Sequence, residues 1–143
     1  MKPLFFLLMF MFFLKATNGQ CNNSFSFEST KNKLIYNNAE TPVNFTANIE
    51  RIKDTIFIIH EIMGQKTIYK GYIQSMDCKE WSKETNLGKM EFSVEEISNK
   101  KTYKGKVIIL FTALGKQVIS ELDSVEGLYK MNYVVSKSKV SED

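Results

Sequence analysis

The sequence predicts an all-β protein: an antiparallel two-sheet sandwich, immunoglobulin-like in its layering. Three observations carry this prediction, namely short segments in which apolar and polar residues alternate, short β-branched apolar runs, and turn signals between them. No convincing amphipathic helical pattern competes with them. A true immunoglobulin domain places a Trp between two bridging cysteines, whereas Trp81 follows both Cys21 and Cys78. Only the general architecture is therefore predicted.

The first residues have the pattern of a secretory leader. Lys2 precedes an apolar run of Leu, Phe and Met at residues 4–14, and small or polar residues follow up to Gly19. This arrangement is typical of a signal peptide, whereas a membrane span needs roughly 20 apolar residues. We expect residues 1–19 to be removed and the protein to be secreted, and not to be an integral membrane protein.

The chain that remains is long enough for one hydrophobic core. We predict a single sandwich domain over residues 20–135 and a frayed polar tail over residues 136–143. Without Lys2 and Lys15, the 19 basic residues fall to 17, against 16 acidic ones. Because phosphate binding needs a clear basic excess, this nearly neutral chain disfavours nucleic acid as a partner.

The alternating segments predict strands with one buried face. They lie at residues 43–50, at residues 90–95 and, less regularly, at residues 129–135. In the first of them Phe45 and Ile49 share the face that we expect to be buried, while Asn44 faces solvent. Turn signals separate the predicted strands at residues 37–38, 63–65, 86–88, 98–99 and 114–116.

Two further segments, residues 55–62 and 107–111, are apolar on both faces. Short β-branched runs of this kind are typical of strands, although periodicity alone does not distinguish them from a buried helix. Such strands could line an apolar pocket, or they could be central strands covered by loops or by a neighbouring chain. Both interpretations remain open at the level of sequence.

The chain has 2 cysteines, Cys21 and Cys78. In an oxidising compartment an even number usually pairs, and this bridge would stabilise the fold by roughly 4 kcal/mol on the chain-entropy model. Free or intermolecular thiols are the alternative. Asn22 and Asn44 each begin an Asn-x-Ser/Thr sequon and are candidate glycosylation sites.

Residues that could carry chemistry are few. The chain has a single histidine, His60. It lies on an apolar strand face, where a histidine is more often a partly buried structural residue than a base. The sequence has no nucleophile elbow and no phosphate-binding glycine loop. One histidine and two distant cysteines do not make a metal site. We predict no catalytic residue, no cofactor and no metal.

Residues 78–111, "CKEWSKETNLGKMEFSVEEISNKKTYKGKVIILF", combine a cysteine, a polar run, an alternating strand, a basic hairpin and an apolar strand. A small glycine-containing turn and another apolar strand follow at residues 114–119. This succession, together with the start "QCNNSFSF", resembles the ML lipid-recognition family, which includes an endotoxin co-receptor, mite allergens, the GM2 activator and a sterol carrier. Members of that family carry several disulfides, and the usual partners of Cys21 and Cys78 are missing from this chain.

The resemblance implies a cup of two splayed sheets that holds an acyl chain or a sterol and could present it to a cell-surface receptor. The implied lining residues are Phe45, Ile49, Ile58, Phe92, Val94, Ile109, Phe111 and Ile119. At the rim, Lys100, Lys101 and Lys104 would attract an anionic head group, or they would form a solvated hairpin tip. The alternatives to a lipid carrier are a secreted protein-interaction module, such as an immune, venom or cytokine-like factor, and an obligate oligomer.

Overall fold

A computed structural model describes residues 23–82, 84–98, 100–124 and 127–141. The predicted leader over residues 1–19 and the residues Cys21 and Asn22 lie outside these ranges. The described residues form nine antiparallel strands: β1 (Ser24–Tyr36), β2 (Ala39–Val43), β3 (Thr46–Ile52), β4 (Thr55–Ile62), β5 (Gln65–Asp77), β6 (Gly88–Ser98), β7 (Lys101–Thr112), β8 (Gly115–Ser124) and β9 (Gly127–Ser141).

The strands form one closed sheet. Each strand pairs with its neighbour in sequence, except that β2 and β3 both pair with β1, so that they act as one strand interrupted at residues 44–45. The first and last strands also pair with each other, from Ser24↔Ser141 to Ile35↔Lys130. The result is an eight-stranded up-and-down barrel, an architecture that has no free sheet edge along its closed length.

The prediction of an all-β antiparallel fold is confirmed, whereas the predicted two-sheet, immunoglobulin-like sandwich is wrong. Alternating strands joined by tight turns are common to sandwiches and to barrels, so the sequence pattern does not separate the two. The pairing of β1 with β9 decides for the barrel, and it joins strands at opposite ends of the chain. The splayed cup that the resemblance implied is likewise replaced by the inside of a barrel.

The same pairing contradicts the prediction of a frayed tail over residues 136–141, while residues 142 and 143 lie outside the described residues. Residues 136–141 continue β9, and their partners on β1 include Glu28↔Lys137 and Ser24↔Ser141. The Lys137 ammonium also lies 3.0 Å from the Glu28 carboxylate. A lysine- and serine-rich segment has no core of its own, but a strand that closes a barrel needs only backbone partners and alternate inward positions.

The predicted turns at residues 37–38 and 63–65 coincide with hairpin turns of the structure. The signals at residues 86–88 and 114–116 lie where a loop or turn meets the next strand, and residue 99 of the signal at 98–99 lies outside the described residues. Asn37 and Asn38 both have positive φ angles, 49° and 62°, as the two central residues of a tight hairpin require. Met63 and Gly64 repeat this conformation between β4 and β5, with φ angles of 49° and 80°. The sequence analysis missed the turn at residues 53–54 and the break at residues 44–45.

The up-and-down order gives the barrel two different ends. The turns at residues 37–38 and 63–64 and the turn between β6 and β7 share one end, which we call the upper end. The chain entry at Asn23, the turn at residues 53–54 and the loop at residues 78–87 share the lower end. This division matters because side chains fill the two halves differently.

The lower half of the barrel is packed with large apolar side chains. The rings of Phe25 and Phe27 stack with their centroids 4.9 Å apart, and Phe27 meets Phe111 edge to face at 6.5 Å. The loop at residues 78–87 places Trp81 against Phe111, with 6.0 Å between ring centroids. Trp81 is buried, so this loop closes the lower end with an aromatic plug.

Gly88 lets the closing loop approach the start of β6. Its φ angle is +124°, and a Cβ atom there would collide with the Glu80 carbonyl oxygen. No other residue type lacks that atom, so the tight seat of the loop depends on glycine at this position. The turn is completed by a hydrogen bond from the Trp81 amide to the Cys78 carbonyl, 3.1 Å long.

A buried polar group supports the interruption between β2 and β3. The Asn32 side-chain amide donates to the Phe45 carbonyl at 2.6 Å, and Asn32 itself is almost fully buried. The Ser29 hydroxyl lies 2.8 Å from the Asn32 side-chain oxygen and 2.6 Å from the Val134 carbonyl, beside an irregularity in the β1–β9 register. These contacts satisfy backbone groups where the ladder is irregular.

Candidate functional site

The upper half of the barrel contains a cavity of about 360 Å³. Most of its wall is apolar and comes from the inward-facing positions of seven strands. These positions are Leu34 on β1, Val43 on β2, Ile56 and Ile58 on β4, Val94 on β6, Val107 on β7, Leu122 on β8 and Met131 on β9. The volume lies at the lower end of the range of small-molecule sites, about 300–1,000 Å³.

Strand alternation explains why these residues meet. In β4 the inward side chains are Ile56, Ile58 and His60, and their partners on β5 are Gly71, Tyr69 and Thr67. In the lower half, equivalent inward positions carry large side chains that fill the interior. In the upper half the inward positions include Ser120, whose side chain is too small to reach the barrel axis, and Gly71, beside which the small Val94 side chain packs. The cavity therefore follows from side-chain size at a few inward positions.

The wall of the upper half has an open seam between β5 and β6. Residues 65–71 of β5 pair with β4, but the described pairing of β5 with β6 begins only at Tyr72↔Glu95. Three residues that line the cavity, Tyr69, Gly71 and Glu96, flank this seam. Tyr69 remains 40% exposed although it lines the cavity, so the interior is accessible to solvent here.

A hydrogen-bonded group of polar side chains lies in the cavity wall. The His60 Nε2 atom is 2.9 Å from the Tyr133 hydroxyl oxygen, which is 3.5 Å from the Ser120 hydroxyl oxygen. The His60 ring also packs against Phe45 and Tyr69, at centroid distances of 4.3 Å and 5.1 Å. Burial lowers the pKa of His60 below its ordinary value, so the imidazole is neutral near neutral pH.

The Tyr133 hydroxyl stays protonated. Its ring is almost fully buried, and burial raises the pKa of Tyr133 well above its ordinary value. A neutral imidazole and a neutral phenol can exchange the donor and acceptor roles between them, because the tautomer of His60 decides which of them donates. The group offers hydrogen bonds to a ligand without adding a charge to the cavity.

Glu96 is the acidic residue whose inward position follows from the alternation of β6. Phe92 and Val94 are buried on the same face of that strand, and Glu96 lines the cavity two residues beyond Val94. Partial burial raises the pKa of the Glu96 carboxyl above its ordinary value. Among the described residues, no hydrogen bond or ion pair holds this carboxyl group.

The predicted lipid-lining residues divide into three groups. Phe45, Ile58 and Val94 line the cavity. Ile49, Phe92, Ile109 and Phe111 belong to the buried core instead, with exposed fractions between 0% and 5%. Ile119 lies on the outer face, because its neighbour Val118 is the buried residue of that pair. For every predicted residue except Ile119, the sequence pattern found the correct face of the strand, but it did not find the height along the barrel.

The predicted rim lysines lie at the upper end, near the turn between β6 and β7. Lys100 has a φ angle of 64° in that turn, and Lys101 begins β7. Lys104 faces outwards and borders a shallow depression with Glu95 and Leu128. All three are exposed, and the cavity lining does not include them. Their predicted role in binding a head group stays a prediction.

The remaining predicted positions are structurally separate from the cavity. Cys78 is half-buried against the core at the lower end, and its predicted partner Cys21 lies outside the described residues. Non-reducing peptide mapping would test that pairing. Asn44 is exposed in the break between β2 and β3, where a glycan would have room, while Asn22 lies outside the described residues.

Sequence reasoning missed Glu96, Ser120 and the cavity-facing role of His60. For Glu96 a signal was available, because the alternation that runs through Phe92 and Val94 continues to this residue. Ser120 offered none, since a serine in a strand is usually taken for a solvent-facing residue. The contact between His60 and Tyr133 joins residues of β4 and β9 across the barrel and cannot be read from either segment alone.

Comparison with protein-family models, with curated proteins and with solved structures finds no match to this chain. The resemblance to the ML lipid-recognition family therefore stays a prediction. Within the part of the chain that the structure describes, no three potential metal-binding side chains come together. The described residues also form no helix with the length and hydrophobicity that a membrane span requires.

Proposed function

We propose that this protein binds one small, largely apolar molecule in the upper cavity of the barrel. The observation that carries the proposal is the cavity itself, about 360 Å³ of space with mainly apolar walls beside a seam in the sheet. A natural barrel interior that served stability alone would be filled, because unfilled apolar space costs packing energy. Eight strands enclose an interior that is wide enough for one small ligand.

Apolar burial supplies the affinity in this proposal. Moving one methylene group from water into an apolar site gains roughly 0.8 kcal/mol, so a chain of several carbons binds without any strong polar contact. The polar group formed by His60, Tyr133 and Ser120 then orients the ligand through hydrogen bonds. The modest volume favours a single acyl chain or a molecule of similar bulk over a lipid with several chains.

The proposed setting is outside the cell. The leader pattern at residues 1–19 supports secretion, and in a secreted protein the two predicted sequons would be candidate glycosylation sites. A secreted barrel of this kind would carry or sequester a poorly soluble molecule in an aqueous medium, and presentation to a cell-surface receptor is compatible with that role. We propose no reaction. The hydrogen bond between His60 and Tyr133 is assigned to ligand orientation alone.

A filled cavity provides the test. Ser120→Phe places an aromatic ring in the cavity, and we expect it to weaken binding of the neutral fluorescent probe N-phenyl-1-naphthylamine at least about tenfold, which corresponds to 1.4 kcal/mol. Titration of the probe with the wild-type and variant proteins measures this loss directly. The wild-type protein should bind with a dissociation constant on the order of micromolar or tighter.

Ser93→Phe is the matched control. Ser93 lies on the outer face of β6, between the buried residues Phe92 and Val94, so the same chemical change adds a ring outside the barrel. We expect this variant to bind the probe as the wild-type protein does. If neither the wild-type protein nor the Ser93→Phe variant binds the probe, the proposal is refuted and the alternative of a protein-interaction module is favoured. Equal weakening by both substitutions would place the probe elsewhere on the protein.

A further inference from the structure

The charged side chains around the cavity are distributed unevenly between its inside and its outside. The other carboxylates near the cavity are paired with lysines. On the outer face Glu91 lies 2.8 Å from Lys106 and 3.3 Å from Lys89. Glu121, which also borders the cavity, lies 2.7 Å from Lys130. Glu96 differs from these residues because it follows Phe92 and Val94 on the inward face of β6 and lines the cavity without a lysine partner in the described part of the chain. Among the described residues it has no ion-pair partner, although lysine is common in this chain.

The lysines that border the cavity do not supply the missing charge. The Lys106 ammonium is bound to Glu91 on the outer face, and the Lys70 ammonium lies 5.9 Å from the centre of the Phe57 ring, also outside the barrel. The cavity therefore contains a carboxyl group without an opposite charge. Partial burial raises the pKa of Glu96, which is the expected response of a carboxylate that lacks a cation.

Aromatic rings form much of the wall that surrounds the empty space. Phe45, His60, Tyr69, Tyr129 and Tyr133 all line the cavity. The face of an aromatic ring attracts a cation, and the attraction grows as water is excluded. Because the His60 imidazole is neutral, it does not oppose a positive charge in the cavity.

From this combination we infer that the preferred ligand is an amphipathic amine, that is, an apolar body carrying one protonated amino group. The inference rests on the proposed function and adds the chemical class of the ligand. The ammonium group lies against the Glu96 carboxylate at the seam between β5 and β6, and the apolar body extends towards Ile58, Val94 and Met131. Glu96 is thus the residue that determines specificity for charge.

This inference differs from one of the two interpretations of the rim lysines, namely that they attract an anionic head group. The lysines at positions 100, 101 and 104 pointed to an anionic head group, but they lie on the outside of the upper end and not in the cavity lining. An anionic group inside the cavity would face the Glu96 carboxylate. Like charges that share a partly desolvated site disfavour binding, so decanoate should be the weakest ligand of a matched series.

The test uses three ligands with the same ten-carbon chain: decylamine, decanol and decanoate. Each displaces N-phenyl-1-naphthylamine from the wild-type protein near neutral pH, and the three dissociation constants are compared. We expect decylamine to bind about tenfold more tightly than decanol, and decanol more tightly than decanoate. Glu96→Gln should abolish the preference, so that decylamine and decanol bind the variant with similar dissociation constants.

Glu95→Gln is the control, because Glu95 is the neighbouring residue on the outer face of the same strand and loses the same charge. It should keep the preference for decylamine. Suppose that the wild-type protein binds the probe but shows equal affinities for decylamine and decanol, or binds decanoate most tightly. Either result would overturn the inference and leave the proposed function intact. Loss of the preference in Glu95→Gln would assign it to the general surface charge and overturn the role of Glu96. The wild-type ranking tests the inference even if Glu96→Gln fails to fold.

Discussion

The two halves of the barrel are built from the same strands but are filled in opposite ways. In the lower half, the rings of Phe27, Phe111 and Trp81 interlock and residues such as Ile109 are completely buried. In the upper half, the same strands surround about 360 Å³ of space, and half-buried residues such as Ile58 and Met131 form its wall. Strand pairing therefore does not decide which part of a barrel interior is close-packed.

The comparison assigns stability to the lower half and leaves the upper half for the proposed binding site. Close packing in the lower half gains dispersion energy and removes apolar surface from water, and this half can hold the barrel together. The upper half gives up part of that energy to keep its interior free. A binding site placed on a well-packed base is held in position without being filled.

The largest expected effect comes from a matched pair of isoleucines. Ile109→Ala in the lower half should lower the free energy of unfolding by at least about 3 kcal/mol, because Ile109 is fully buried and its removal leaves a new void. Ile58→Ala should cost only about 1–2 kcal/mol, since one side of Ile58 already faces the cavity. Urea-induced unfolding followed by the fluorescence of Trp81 measures both values. Equal losses would show that the two halves are packed equally tightly.

A smaller effect is expected at the loop that closes the lower end. Gly88→Ala should destabilise the protein by about 1–3 kcal/mol more than Gly115→Ala does. Both glycines have positive φ angles, +124° and +135°, so the backbone strain is common to the two variants. Only at Gly88 would the new Cβ atom collide with the closing loop, whereas nothing lies within 4 Å of the corresponding point at Gly115.

Thermal unfolding of the two glycine variants provides the measurement. If both lose the same stability, the loop at residues 78–87 can move aside freely, and it does not act as a tight plug. In that case the lower half would owe its stability to the strands alone.

The smallest effect concerns pH and the upper half. Burial lowers the pKa of His60, so the unfolded chain takes up a proton below about pH 6.5 while the folded protein resists it. Stability from this residue is therefore complete at higher pH and is lost as the pH falls below that value. His60→Gln should remove this contribution.

The Tm of the wild-type protein and of His60→Gln is measured at about pH 7.5 and at about pH 5.5. We expect the wild-type protein to lose more Tm on acidification, by roughly 2 °C or less. The effect is small because the imidazole is only half-buried and its charge is partly screened. Glu96 contributes equally in both proteins and cancels in the comparison. A larger loss of Tm on acidification in His60→Gln than in the wild-type protein would contradict the assignment to His60.

The sequence predicted much of the local structure. The alternation over residues 43–50 correctly places Ala47 and Ile49 in the interior and Asn44 outside, and the turn at Asn37 and Asn38 lies where it was expected. The two-sheet sandwich and the frayed tail were wrong. Both errors have the same origin, since each depends on the pairing of β1 with β9, which no local pattern indicates.

The candidate site was predicted only in part. Alternation identified Phe45, Ile58 and Val94 as inward-facing residues, and it was equally right about the inward face of Ile109 and Phe111. It could not say that the last two lie in the packed half. Height along the barrel depends on the stagger of neighbouring strands, and stagger is a relation between segments.

By itself, therefore, the sequence determined the strand content, the turns and the face of most side chains, because these depend on a residue and its near neighbours. The tertiary structure decided the closure of the sheet, the division into a packed and an open half, and the isolation of Glu96 among apolar walls. These features arise when residues distant in sequence meet across the barrel interior. Their free energy comes from pair contacts and shared burial, which a linear pattern does not encode.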